Sequence, residues 1–195
     1  MSQSLSEIID RMTQLQDQLD DAFKERAEHL RYELKNRRVV FEQEVLEAHR
    51  AFRTHLTHYV WNARFLSILT APIIYAVVIP LAILDLSMSL YQVICFPAYG
   101  IPKVRHRDYI IFDRHKLAYL NALEKFNCIY CSYGNGVIAY AQEIASRTES
   151  YWCPIKHAQR TKTFMPRYAR FSDYGSAETY RDDFDKNRDA ARKGL

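Results

Sequence analysis

Four residues have the types and spacing that metal chemistry needs. Cys128 and Cys131 form a C-x-x-C pair, and Cys153 and His157 follow as a C-x3-H pair inside Tyr151-Trp152-Cys153-Pro154-Ile155-Lys156-His157-Ala158. Three thiolates and one imidazole complete a tetrahedral set, and Cys3His is among the combinations that structural zinc takes. Gly134 lies three residues after Cys131, where a small residue in a metal-binding knuckle lets backbone N–H groups approach the thiolates. The spacing between the two pairs falls just outside the commonest zinc-finger windows, so zinc is the preferred cofactor and not the sole candidate.

Rival chemistries sort by context. A c-type haem attachment is excluded because Ser132, not His, follows Cys131. A thioredoxin-like pair lacks its βαβ setting, and a disulfide does not suit a cytoplasmic segment. Ordinary buried cysteine is the reading for Cys95 and the competing one for the other three. Iron is the live rival. Three Cys with a C-x3-H resemble the [2Fe–2S] ligation of the mitoNEET family, although here the first pair is C-x2-C and the adjoining family motif is absent. Mixed thiolate–imidazole ligation would raise the potential of such a centre. Gly134-Asn135-Gly136-Val137-Ile138-Ala139 also matches G-x-G-x-x-A, but no second βα unit follows, so a turn and a helix cap explain it better. His55 and His58 share a helix face, yet no Glu-x-x-His pair occurs, which argues against a di-iron bundle. With no Ser/His/Asp pattern, P-loop or paired-carboxylate motif, a non-enzymatic chain is favoured.

The elements that would position the four ligands follow from caps and periodicity. Asp113 caps a helix from Arg114 to about Phe126, burying Leu117, Leu120 and Leu123. The knuckle comes next, and Asn135 caps a second helix from Val137 to Thr148. Two antiparallel helices would bring both pairs together, making residues 103–157 a small helical Cys3His domain.

The whole chain has 195 residues, 48% of them apolar and 26% charged, with a net charge of +4. Only 5 Gly and 6 Pro occur, which favours helices, and this composition excludes collagen-like, disulfide-scaffold and wholly disordered classes. The average conceals an uneven distribution. Between Phe65 and Pro102 the only charge is Asp85, and Phe65 to Leu84 is a charge-free run of 20 residues, enough to span a hydrocarbon core about 30 Å thick. Basic residues flank both sides: Arg50, Arg53 and Arg64 before, Lys103, Arg105 and Arg107 after. The positive-inside tendency then favours a membrane hairpin over residues 65–102, kinked at Pro72 and Pro80 with Asp85 near the turn or facing protein. A single span is the alternative.

Residues 4–62 contain neither Pro nor Gly, and the spacing predicts one long amphipathic helix within the segment 1–64. Leu5, Ile8, Met12, Leu15 and Leu19 form a heptad stripe that resumes at Phe23 after a stutter, a coiled-coil-like pattern suited to self-association or to a partner helix. Lys103 to Lys116 mixes cations with Tyr109, Ile110, Ile111 and Phe112, as an interfacial strap on anionic lipid does. No nucleic-acid recognition module is visible. Residues 158–195 form a polar, partly disordered tail, with room for a short helix around Ala177 to Ala191.

The layout and the YWCPIKHA signature, mainly over residues 104–158, are similar to a family of uncharacterised bacterial inner-membrane proteins. That resemblance implies a bacterial inner-membrane location and no activity. The expected protein is therefore mainly α: a membrane-anchored scaffold or accessory subunit, with both termini and the cysteine domain cytoplasmic. The alternative is a membrane-associated redox protein with iron at Cys128, Cys131, Cys153 and His157.

Overall fold

The computed structural model describes residues 5–30, 32–35, 38–41, 43–159 and 166–195, and the chain is mainly helical. It forms two compact units, Met1–Ile68 with Phe112–Ile129, and Leu69–Ile111 with Tyr130–Leu195.

The first unit opens with α1 (Leu5–His29). Leu15, Leu19 and Phe23 repeat every four residues on one side of it and stay 56–62% exposed, so among the described residues nothing covers that stripe. A β-hairpin follows: β1 (Tyr32–Lys35) pairs antiparallel with β2 (Arg38–Phe41), placing Tyr32 opposite Phe41 and Leu34 opposite Val39. Then come α2 (Gln43–Ala51) and α3 (Leu56–Trp61). The single helix expected over 4–62 is thus broken twice, by the hairpin and again at residues 52–55. Absence of Gly and Pro permits a helix but does not select one. Val39-Val40 between Tyr32 and Phe41 is β-branched and aromatic sequence, which prefers a pleated strand. His49 on α2 lies edge-on to the rings of Phe41 and Tyr119, with centroids 5.7 and 5.6 Å away.

The apolar middle forms α4 (Phe65–Ala76) and α5 (Val78–Tyr99), parted only by Val77. Pro80 explains the break: it lacks an N–H, and its ring crowds the carbonyl of Ala76 four residues earlier. The two helices make one apolar stretch of 35 residues, long enough to cross a membrane. No hairpin turn forms at Asp85, because α5 runs straight through it. Gly100 ends α5 in the left-handed region (φ 73°), and the Ile101 N–H reaches back to the Phe96 carbonyl. That is the 6→1 bond of a Schellman cap, with Phe96 and Ile101 packed together in the core.

α6 (Ala122–Trp152) is one continuous helix of 31 residues. Its start is fixed by a reciprocal pair: the Glu124 N–H donates to Asn121 Oδ1 at 3.0 Å, and the Asn121 N–H donates to Glu124 Oε2 at 2.8 Å. The two helices and intervening knuckle expected over 114–148 are therefore not what forms. Residues 114–116 make a single 3-10 turn, and Asn135 caps nothing, since its amide donates to the Cys131 carbonyl inside α6.

In the second unit, α6 runs parallel to the apolar stretch. Tyr130 bonds the Ile74 carbonyl, Tyr140 bonds Ser89, Thr148 bonds Tyr91, and the Tyr151 and Tyr99 rings stack at 5.2 Å. The return segment 101–110 runs the opposite way between them. Pro102 accepts from Arg147, Val104 pairs with Gln92, and Tyr109-Ile110 crosses Gly136. Phe96, Ile101, Val104, Tyr140, Ile144, Tyr151 and Ala191 form the core. Ala191 belongs to α7 (Tyr180–Arg192), so within the tail expected to be partly disordered the described residues 166–195 carry a packed helix. The Arg188 guanidinium lies 4.4 Å from the Tyr151 ring centre and holds α7 on the end of α6.

Candidate functional site

The expected metal ligands do not converge. Cys128 and Cys131 sit one turn apart within α6, the first half-buried and the second exposed. Cys153 follows the end of α6, 22 positions after Cys131. At a rise of about 1.5 Å per residue that separation is about 33 Å, whereas ligands of one zinc lie within about 2.3 Å of the ion. His157 is exposed, its ring 6.2 Å from that of Tyr168, while its backbone N–H donates to the Tyr168 hydroxyl. No group of three or more Cys, His, Asp or Glu able to hold an ion occurs among the described residues. The four residues thus do not fit one ion within a single chain.

The YWCPIKHA segment has a structural task instead. Pro154 is buried, its carbonyl accepts from Ser172 at 2.9 Å, and Lys156 N–H donates to the Ser172 carbonyl at 2.8 Å. Lys156 Nζ also pairs with Asp173 at 2.7 Å. The segment therefore binds residues 171–173 to the end of α6.

What the fold does assemble is a polar seam on the inner side of α5. Asp85, Ser89 and Gln92 fall at i, i+4 and i+7, one helix face, in an otherwise apolar sequence. Asp85 meets His106 Nε2 at 3.0 and 3.1 Å through its two oxygens, and accepts from the Tyr133 hydroxyl at 3.1 Å. Ser89 bonds the Tyr140 hydroxyl at 3.2 Å, and the Gln92 amide also donates to that hydroxyl. Gln92 closes the seam by accepting from Val104 N–H at 2.8 Å and donating to the Val104 carbonyl at 3.2 Å. Burial, reinforced by the hydrogen bond to Asp85 and its charge, pushes the Tyr133 phenol above its ordinary value and keeps it a proton donor. Structurally the seam ties α5, α6 and the return segment together.

Beside it lies a second ionic centre. Glu143 accepts a two-pronged contact from Arg167 at 2.8 and 2.9 Å and a third bond from Arg147 at 2.8 Å. Burial alone would raise this carboxyl, but the hydrogen bonds and charges of Arg167 and Arg147 outweigh it and hold it below the ordinary value. Arg147 also donates to the Pro102 carbonyl at 2.6 Å, and Arg167 to that of Leu195 at 3.1 Å.

Neither centre was found from sequence. The signal for the seam was present as the i, i+4, i+7 spacing of polar residues in the apolar run. Their partners His106, Tyr133 and Tyr140 lie 21 to 51 positions away and are brought in only by the tertiary fold. Comparison with known protein families, curated proteins and solved structures finds no match to this chain.

Proposed function

We propose that the chain is a membrane-anchored, non-enzymatic scaffold or accessory subunit of a bacterial inner membrane, joined to a second copy or a partner helix through α1. One observation carries this reading. The 35-residue apolar stretch keeps Leu66, Leu69, Ile73, Ile79, Ile83 and Leu86 largely exposed, while its lone carboxylate, Asp85, is turned inward and fully partnered. A soluble core helix would do the reverse with its leucines, and a helix in lipid must partner its charge internally. The stretch is longer than a single crossing needs, and no apolar side chain between Phe65 and Leu84 is buried. α6 covers the inner face of the stretch from Ile74 onward, and the return segment joins it at Asp85.

Two further features support the reading. The Leu15, Leu19 and Phe23 stripe on α1, which carries the heptad pattern across its stutter, has no cover among the described residues. Lys103, Arg105 and Arg107 are exposed on the return segment, as an anionic-lipid strap requires. Nucleic acid has no place in it. The redox alternative, iron or [2Fe–2S] at Cys128, Cys131, Cys153 and His157, and the zinc form of the scaffold both require ligands gathered from more than one chain.

Flotation with vesicles tests the anchor. The full chain is expected to float with liposomes through an alkaline wash, and Ile79→Asp with Ile83→Asp to leave it in the dense fraction. A native chain that stays soluble and monomeric overturns the reading. Metal analysis of anaerobically purified protein addresses the alternative: iron with sulfide and visible absorbance would favour the redox protein.

A further inference from the structure

Between α5 and α6 the second unit leaves a groove of about 540 Å³, lined by Met88 and Tyr91 on one wall and by Ile144, Ala145, Thr148 and Trp152 on the other. Its size lies within the range of roughly 300–1,000 Å³ that ligand sites occupy. The lining is almost wholly apolar, and the Tyr91 and Thr148 hydroxyls bond each other at 3.1 Å, so neither polar group is offered outward as a sole partner. The groove is not sealed; it opens along its length.

We propose that this groove takes one acyl chain of a membrane phospholipid. The inference rests on the membrane reading of α4 and α5 given above. Three features choose this occupant. First, the α5 wall belongs to the apolar stretch, whose neighbouring residues Leu86, Leu90 and Ile94 are 57–71% exposed, so whatever bathes that stretch also reaches the groove. Second, the mouth is ringed by aromatics: Tyr99 stacks on Tyr151 and stands edge-on to Trp152 at 5.3 Å. Tyr and Trp collect where hydrocarbon meets headgroups, and a chain entering there would have its headgroup at the same level. Third, Glu149 lines the groove. A fatty acid would set its own carboxylate against this one, whereas a zwitterionic phospholipid brings an ammonium group instead. An extended chain also matches the shape, since α5 and α6 run parallel and the groove follows them from Met88 to Cys153.

The test uses the full chain in nanodiscs of phosphatidylethanolamine and phosphatidylcholine doped with a phospholipid carrying a photoreactive diazirine on its acyl chain. After illumination, adducts are mapped by mass spectrometry. Adducts are expected on peptides containing Ala145, Thr148 and Trp152, and Ala145→Trp, which fills the groove, should lower them about tenfold. The same variant should leave adducts on Leu86 and Leu90 unchanged, and Leu90→Trp should leave the groove adducts unchanged. Adducts confined to Leu86, Leu90 and Ile94 would reveal surrounding lipid only and overturn the proposal, as would groove adducts indifferent to Ala145→Trp. Stronger labelling by a photoreactive fatty acid than by the phospholipid would overturn the choice of source. Failure of the native chain to enter nanodiscs sinks the membrane reading itself, a result distinct from normal insertion with an unlabelled groove.

Discussion

A single carboxylate in an apolar helix has to be answered by protein, and Asp85 is answered three times, by His106, Tyr133 and the neighbouring Ser89. Replacing it by Ala leaves the Tyr133 hydroxyl and His106 without their acceptor, and losing charged hydrogen bonds in a part-buried place costs about 2–3 kcal/mol. Asp85→Ala should lower the midpoint of thermal unfolding in detergent by several degrees, while Asp85→Asn, which keeps an acceptor, should lose much less. Equal losses would deny the seam its role. The two glutamates of α6 give opposite pH signatures. Glu143 is held below its ordinary value by Arg167 and Arg147 against the opposing effect of burial, so its contribution to stability is complete above about pH 4.5 and is lost as the pH falls through the depressed value. Glu143→Gln should therefore cost stability at pH 7 and flatten the acid limb of a stability–pH curve. Glu149 is raised by burial, so its protonated form suits the fold and its contribution fades as the pH rises through the raised value. Glu149→Gln should be neutral in acid and stabilising at pH 7.

At the scale of elements, the sequence and the structure part company for identifiable reasons. The apolar stretch was legible because hydropathy over 35 residues is a local property that no distant contact can reverse. The start of α6 was not read from the sequence, although Asn121 and Glu124 stand in capping-box spacing, because Asp113 and Asn135 offered rival caps of equal local quality. Gly134 and Gly136 were misleading. They read as a turn, yet they serve close packing inside a helix, and only the tertiary fold reveals what approaches them. A Cβ on Gly136 would lie 2.7 Å from Ile110 Cγ1 and 2.8 Å from the Tyr109 carbonyl oxygen, whereas one on Gly134 would meet only the Leu81 Cδ1 at 3.2 Å. Gly136→Ala forces backbone apart and should destabilise by about 2 kcal/mol. Gly134→Ala needs only a side-chain adjustment and gains up to about 1 kcal/mol of helix propensity, so it should be neutral or mildly stabilising. Thermal melts of the two variants decide it, and equal destabilisation by both would mean that the return segment does not cross α6 at Gly136. The four candidate ligands stay apart within the chain for a related reason: C-x-x-C has the same spelling in a knuckle as on one face of a helix, and the choice depends on whether the chain turns at the glycines.

For the whole molecule, the decisive quantity is the path of the chain past Asp85. Basic residues on both flanks favoured a return to the starting side, and a hairpin over 65–102 would have satisfied that tendency. The folded chain offers no turn there: contacts advance from Ile74–Tyr130 through Ser89–Tyr140 to Tyr99–Tyr151 without reversing. If the apolar stretch crosses the bilayer, about 20 of its 35 residues supply the roughly 30 Å of hydrocarbon thickness, and the two ends of the stretch then face opposite compartments. Charge bias makes this crossing costly in one respect, because Arg64 lies on one side and Lys103, Arg105 and Arg107 on the other. The return segment lessens that conflict by laying its cations beside α5 in the second unit, available to headgroups of whichever leaflet the unit meets. Fusions of a periplasm-active and a cytoplasm-active reporter after Met1 and before Leu195 should report opposite sides. Adding Lys residues beside Arg64 should drive the first terminus further toward the cytoplasm without moving the helix ends. Both reporters on one side would require either an in-plane helix pair or the abandoned hairpin. Those two separate by thiol labelling at Ile73→Cys, which an in-plane helix would leave within reach of a water-soluble reagent and a buried crossing would not.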